Sequence, residues 1–204
     1  MIDIGGAIIT LVIILFSMVL HELAHGVVAY WLGDTTAKDD GRLTLNPLKH
    51  LDPYMSVILP MILFFMKAPV FGGAKPVPVN SNNLKGKEWG MALVALAGPL
   101  TNFLLAFIGF LVYRFGGMST IASQFTTINL GFMIFNLLPI PPLDGSRILY
   151  AISPDGVRDF LRATEGIGVI VVYVLILVAG SAFSGLMIDC MNGIVRFFIA
   201  VTGG

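Results

Sequence analysis

His21, Glu22 and His25 form the pattern His-Glu-Leu-Ala-His inside a long apolar run. Residues four apart share one face of a helix, with Cβ atoms about 5–6 Å apart. Both imidazoles then reach one Zn²⁺, and the glutamate between them stands beside a water in the fourth position. The chemistry this supports is hydrolysis by an activated water, with Glu22 as the base. The bland alternative is a pair of core histidines bonded to neighbouring helices. Location decides between the two, because ionisable groups surrounded by lipid are costly and mark functional sites. A zinc site needs a third protein ligand. The remaining histidine is His50, in a polar loop, and one cysteine, Cys190, allows no disulfide, CxxC or zinc-finger set. A carboxylate is left, and Asp144 in Pro-Pro-Leu-Asp-Gly is the best placed. The prolines stop a preceding helix there, and Gly145 frees the backbone to aim the carboxylate. Asp189 has no supporting motif and reads as a partner of Arg196 or a solvated interfacial residue.

The elements that must position these groups lie in a membrane. Hydrophobic residues make up 56% of the 204 and charged residues 12%, against about 25% charged in an average soluble domain. With a mean hydropathy of +0.89, too little polar surface exists to cover a water-soluble globule. Twelve basic residues balance twelve acidic ones, so no bulk charge favours nucleic acid, and no organic cofactor is expected. The expected fold is an all-α polytopic membrane protein of about five to six transmembrane helices, built as a single domain over residues 1–204. Core spans are expected at about 5–32, 89–115 and 121–138, with C-terminal helices at about 166–180 and 184–201. Residues 33–83 read as a re-entrant or membrane-associated segment. Within them, residues 42–45 and 76–79 alternate like short strands and predict a small β-sheet at the cytoplasmic face.

Charge and depth set the topology. Seven basic residues lie between the first span and Trp89, three more follow the third span, and Arg114 alone follows the second. If residues 54–69, a short run containing Pro60, dip in and return, ten basic residues lie on one side and one on the other. That satisfies the positive-inside rule with the N-terminus outside the cell membrane. At ~1.5 Å per residue His21 lies roughly 24 Å into a core about 30 Å thick, toward the cytoplasmic side. Asp144 can meet it only if an even number of crossings separates His25 from Trp89.

Three strings in order, HELAHG, AGPLTN and NLLPIPPLDG, resemble the site-2 proteases, intramembrane zinc metalloproteases. The loop strings GRLTLNPLKHLDP and GGAKPVPVN are similar to those of the small bacterial members without a PDZ or CBS domain. The resemblance implies one Zn²⁺ per chain held by His21, His25 and Asp144, with Glu22 as catalytic base. It matches Gly98 and Asn102 to a Gly-xxx-Asn motif, and Asn136 to the asparagine ahead of the Pro-rich segment. Asn102 and Asn136 are expected to hold substrate backbone as amide donors. Val77 and Val79, with N–H groups between the prolines, are expected to pair with an unwound substrate by strand addition. The partners implied are transmembrane protein substrates and the lipid bilayer, and the activity is regulated intramembrane proteolysis. Two rivals stand beside it. A metal-ion transporter would call for paired inverted repeats, which the sequence lacks. An inactive homologue that binds transmembrane helices is disfavoured because His21, Glu22, His25 and Asp144 are all present.

Overall fold

The structure is a computed structural model that describes residues 4–66, 72–117 and 119–203, apart from the side chains of residues 57 and 64. Among the described residues the regular elements are helices: α1 (Ile4–Trp31), α2 (Thr36–Asp39), α3 (Leu59–Phe65), α4 (Glu88–Phe115), α5 (Thr120–Asn136), α6 (Asp144–Ile152), α7 (Asp155–Glu165), α8 (Gly168–Val178) and α9 (Gly180–Val201). Three of these, α1, α4 and α9, are long and apolar enough to cross a membrane. The α7–α8 pair, bent by 86°, makes a fourth if it is counted as one broken span.

α4 shows how such a sequence packs when the solvent is lipid. Its large residues Trp89, Leu93, Leu96, Leu100, Leu104, Ile108, Val112 and Phe115 are exposed, and their spacing of three and four places them on one face. The opposite face is buried and mostly small, with Gly90, Ala92, Ala95, Ala97, Gly98, Ala106 and Gly109. Lipid tails are as apolar as leucine, so small residues that let backbones approach govern helix contacts. Pro99 lies within this helix.

Cross-contacts give the helix directions. His25 meets Val94 while His21 meets Asn102, so α1 and α4 are antiparallel. Asn102 meets Asn129, and a Cβ at Gly109 would touch Phe125 and Thr126, so α4 and α5 are antiparallel too. α1 and α5 therefore run the same way, and Asp144, eight residues past the end of α5, emerges at the end of α1 that carries the histidines. α9 buries Phe198 fully, its ring 5.3, 4.9 and 5.4 Å from those of Phe103, Phe107 and Phe110.

The expected fold class needs two corrections. No β-strand occurs among the described residues, so the small β-sheet is absent. Residues 43–45 are bends after α2, and residues 72–80 carry no regular structure and no partner strand. The prolines at 76 and 78 remove ladder donors, and the N–H groups of Val77 and Asn80 go to the carboxylates of Glu22 and Asp34 instead. Among the described residues, the helices long and apolar enough to cross number three, or four with the bent pair, rather than five to six. α8 has 11 residues, about 16 Å of helix, and α5 has 17, about 25 Å, against a core of about 30 Å. Of the segment read as a dip, the described part is a six-residue π-helix, Pro53–Ile58, followed by the seven residues of α3. Its last residues, 67–69, lie outside the described residues.

Candidate metal centre

His21 and His25 are buried on the α1 face that meets α4. Their rings lie edge to face, 4.6 Å apart. Each ring is anchored by Nδ1. His25 Nδ1 lies 2.7 Å from the Val94 carbonyl, which can only accept, so Nδ1 carries the proton and Nε2 the lone pair. His21 Nδ1 lies 2.6 Å from Asn102 Oδ1. The two Nε2 atoms face each other at 3.0 Å. Asp144 Oδ2 lies 3.2 Å from one and 3.4 Å from the other, and this buried oxygen has no hydrogen-bond donor. Three potential acceptors thus converge, an arrangement that suits a cation.

The spacing identifies a suitable one. Zn–N and Zn–O bonds of about 2.0–2.2 Å in tetrahedral geometry put ligand atoms about 3.3 Å apart. The observed edges of 3.0, 3.2 and 3.4 Å match. One nitrogen from each of two imidazoles and a carboxylate oxygen are a ligand set that zinc accepts, with a fourth position left open. Among the described residues, His21, His25 and Asp144 form a group whose atoms could hold a metal ion.

Glycines make the close packing possible. A Cβ at Gly98 would lie 2.5–2.6 Å from His21 Cε1 and Nε2 and from His25 Cε1, so only glycine lets α4 pass beneath the two rings. A Cβ at Gly145 would run into the carbonyls of Leu137 and Leu138. Close approach, rather than backbone freedom, is what that glycine supplies. It lets α6 begin under the end of α5, with Asp144 in its first turn, where the helix dipole favours a carboxylate.

The other expected residues divide. Glu22 is half-buried beside the cluster, and its Oε2 accepts the Val77 N–H at 2.9 Å. Val77 is buried and its N–H is already engaged, while Val79 packs with Val28, Leu32 and Met91 around buried Ala29, Leu84 and Val94. Asn102 is fully buried, with Oδ1 on His21 and Nδ2 on Asn129. Asn136 donates back to the Phe132 carbonyl of its own helix at 3.0 Å and touches none of the three ligand atoms. His50 lies outside the cluster, fully buried, with Nε2 on the Thr44 carbonyl. The sequence reading missed Asn129 and Ser17, which stand behind Asn102. Their signal is a polar residue within an apolar helical run.

Segment 72–80 is tied down at both ends. Arg42, buried, donates to the carbonyls of Lys75 and Pro76 at 2.8 and 3.3 Å. Asp34, fully buried, accepts from the N–H of Asn80, the amide of Asn83, and the hydroxyl and N–H of Thr36. Burial pushes the Asp34 carboxyl up, but these hydrogen bonds outweigh it and hold the group below its usual range.

Spanning helices around two histidines and an aspartate that converge define a polytopic membrane protein with a candidate metal site. The comparisons with known proteins give it a family. The model of peptidase family M50 matches residues 114–180. YwhC of Bacillus subtilis (strain 168) is 44% identical over 181 residues, covering 82% of this chain and 78% of YwhC. Rip2 of Mycolicibacterium smegmatis is 34% identical, covering 79% of this chain and 64% of Rip2. MJ0611 of Methanocaldococcus jannaschii is 34% identical, covering 70% of this chain and 69% of MJ0611. All three are named as candidate zinc metalloproteases. No solved structure matches the chain. The chain belongs to peptidase family M50, the site-2 protease family.

Proposed function

We propose that this protein is a zinc-dependent endopeptidase that hydrolyses peptide bonds in the transmembrane or membrane-proximal segments of other proteins, in regulated intramembrane proteolysis. One Zn²⁺ per chain is held by His21, His25 and Asp144. The protein lies in the cell membrane with its N-terminus outside and the site toward the cytoplasm. The observation that carries this reading is the convergence of two imidazole lone pairs and an orphaned carboxylate oxygen at tetrahedral-edge distances. The names of the relatives and the family membership support the same chemistry.

The metal would supply Lewis acidity, acidifying water and polarising a peptide carbonyl. The chain supplies the rest. Glu22, one residue from His21 on α1, takes the water's proton and returns it to the leaving amine. The Val77 N–H on Oε2 orients that carboxylate. Asp144 and the two imidazoles are locked by α6 and α4, so the ligand set is formed before a substrate arrives.

Measuring bound metal together with cleavage of a single-span model substrate tests the reading. The parent chain, purified in detergent, is expected to hold one zinc and to cleave. Glu22→Gln is expected to keep its zinc and to lose turnover by roughly 10²–10⁴-fold, because an amide accepts no proton from water. Cleavage by metal-free protein, or near-parental turnover in Glu22→Gln, would overturn it.

A further inference from the structure

Behind His21 a line of buried side chains joins α4, α5 and α1. Asn102 Oδ1 faces His21 Nδ1 at 2.6 Å. Asn102 Nδ2 donates to Asn129 Oδ1 at 2.9 Å. Asn129 Nδ2 donates to Ser17 Oγ and to the Phe125 carbonyl, both at 2.9 Å. Asn102, Asn129 and Ser17 are each 0% exposed, so water cannot substitute for a missing partner.

The oxygen and nitrogen ends of an amide have the same shape, and an asparagine can present either one. The direction of this line is set by the group at its far end. A backbone carbonyl only accepts, so Asn129 must turn Nδ2 to Phe125 and Oδ1 to Asn102. Asn102 must then turn Nδ2 to Asn129 and Oδ1 to His21. His21 must in turn carry its proton on Nδ1, which leaves the Nε2 lone pair facing His25 and Asp144. His25 receives the same instruction directly from the Val94 carbonyl.

We infer that Asn129 is a positioning residue that relays the direction of the Phe125 carbonyl through Asn102 and so fixes which nitrogen of His21 meets the metal. The inference rests on the metal reading above and adds to it a residue that touches neither metal nor substrate. Polar residues between membrane helices often serve only as glue. Glue would stabilise the bundle but would leave the choice of His21 nitrogen untouched.

Replacing Asn129 separates the two roles. In Asn129→Leu the Asn102 amide loses its guide and can turn Nδ2 toward His21, which forces the proton onto Nε2. Zinc affinity of the full chain in detergent, read by competition with a chelator, is expected to fall roughly 10- to 100-fold, the usual cost of losing such a support. Asn129→Ser serves if the leucine variant does not fold. Its hydroxyl bonds back to Phe125 as that of Thr126 does to Ala122, but it is too short to guide Asn102, and the same loss is expected. The deciding step adds Asn102→Asp to either variant. A carboxylate has two accepting oxygens and no wrong side to present, so zinc affinity is expected to return to within about threefold of the parent, as a carboxylate–histidine–zinc triad. Parental zinc affinity in the Asn129 variants, or a loss that Asn102→Asp does not restore, would overturn the inference while leaving the metal reading intact. A parent chain that binds no zinc would overturn both.

Discussion

At the residue scale the site depends as much on missing atoms as on ligands. Gly98→Ala would push a methyl group against both imidazoles. Overpacking of this kind costs about 1–3 kcal/mol, and here the displaced atoms are the ligand rings themselves. We expect zinc affinity to drop at least about tenfold, by the same measure as for lost supporting contacts, while the helical content seen by circular dichroism stays parental. Chelator competition on the purified variant checks this. The four residues of the candidate site were legible in the sequence as a group that must come together. His21, Glu22 and His25 reveal themselves by helical spacing, and Asp144 by elimination and its place after the prolines. Asn102 and Asn136 read alike from the sequence, as amides in apolar helices, and the structure separates them. Asn102 lies at the depth of His21, whereas Asn136 turns to its own Phe132. Asn129 stands two turns before Asn136 on nearly the same face. Depth against a neighbouring helix distinguishes such residues, and no single helix encodes it.

At the scale of elements, segment 72–80 shows why alternation misled. Pro76-Val77-Pro78-Val79 carries the period of a strand, but a strand is defined by a partner ladder, and here carboxylates take that place. α7 went unread for a related reason. Its mixed polar composition is invisible to a search for apolar spans. The anchoring of segment 72–80 by Asp34 has a pH signature. The carboxyl is held below its ordinary value of 3.8, so its contribution is complete above that pH and is lost as pH falls through the folded value. Asp34→Asn keeps one acceptor and removes the charge. We expect it to be about 1–3 kcal/mol less stable than the parent at pH 7, with the gap narrowing below pH ~4. Thermal unfolding of both proteins in detergent from pH 7 to pH 3 tests this, and a gap independent of pH would count against Asp34 as a charged anchor.

At the scale of the whole molecule, antiparallel α1 and α4 return the chain between them to the face it left. We therefore expect single cysteines at Lys49 and Lys85, in a Cys190→Ser background, to react with an impermeant reagent from the same side of the membrane. A cysteine at Gly117 should react only from the other. Labelling of positions 49 and 85 from opposite faces would contradict the packing of the two helices. Parity made this much of the topology legible, since His21 and Asp144 must share a depth. The number of spans was not, because a run of apolar letters carries no record of where its helix bends. The paired contacts of α1 and α4 also bear on what the sequence can tolerate. His25 takes Val94 and His21 takes Asn102, so two turns of one helix are indexed against one turn of the other. One residue inserted between positions 94 and 102 would rotate everything beyond it by about 100° and shift it by about 1.5 Å, so one histidine would keep its partner and the other would lose it. Asp34 and Arg42 are tied in their own way, to Asn80 and to the carbonyls of Lys75 and Pro76. The interval from 94 to 102 behaves as a ruler whose divisions cannot be added or removed.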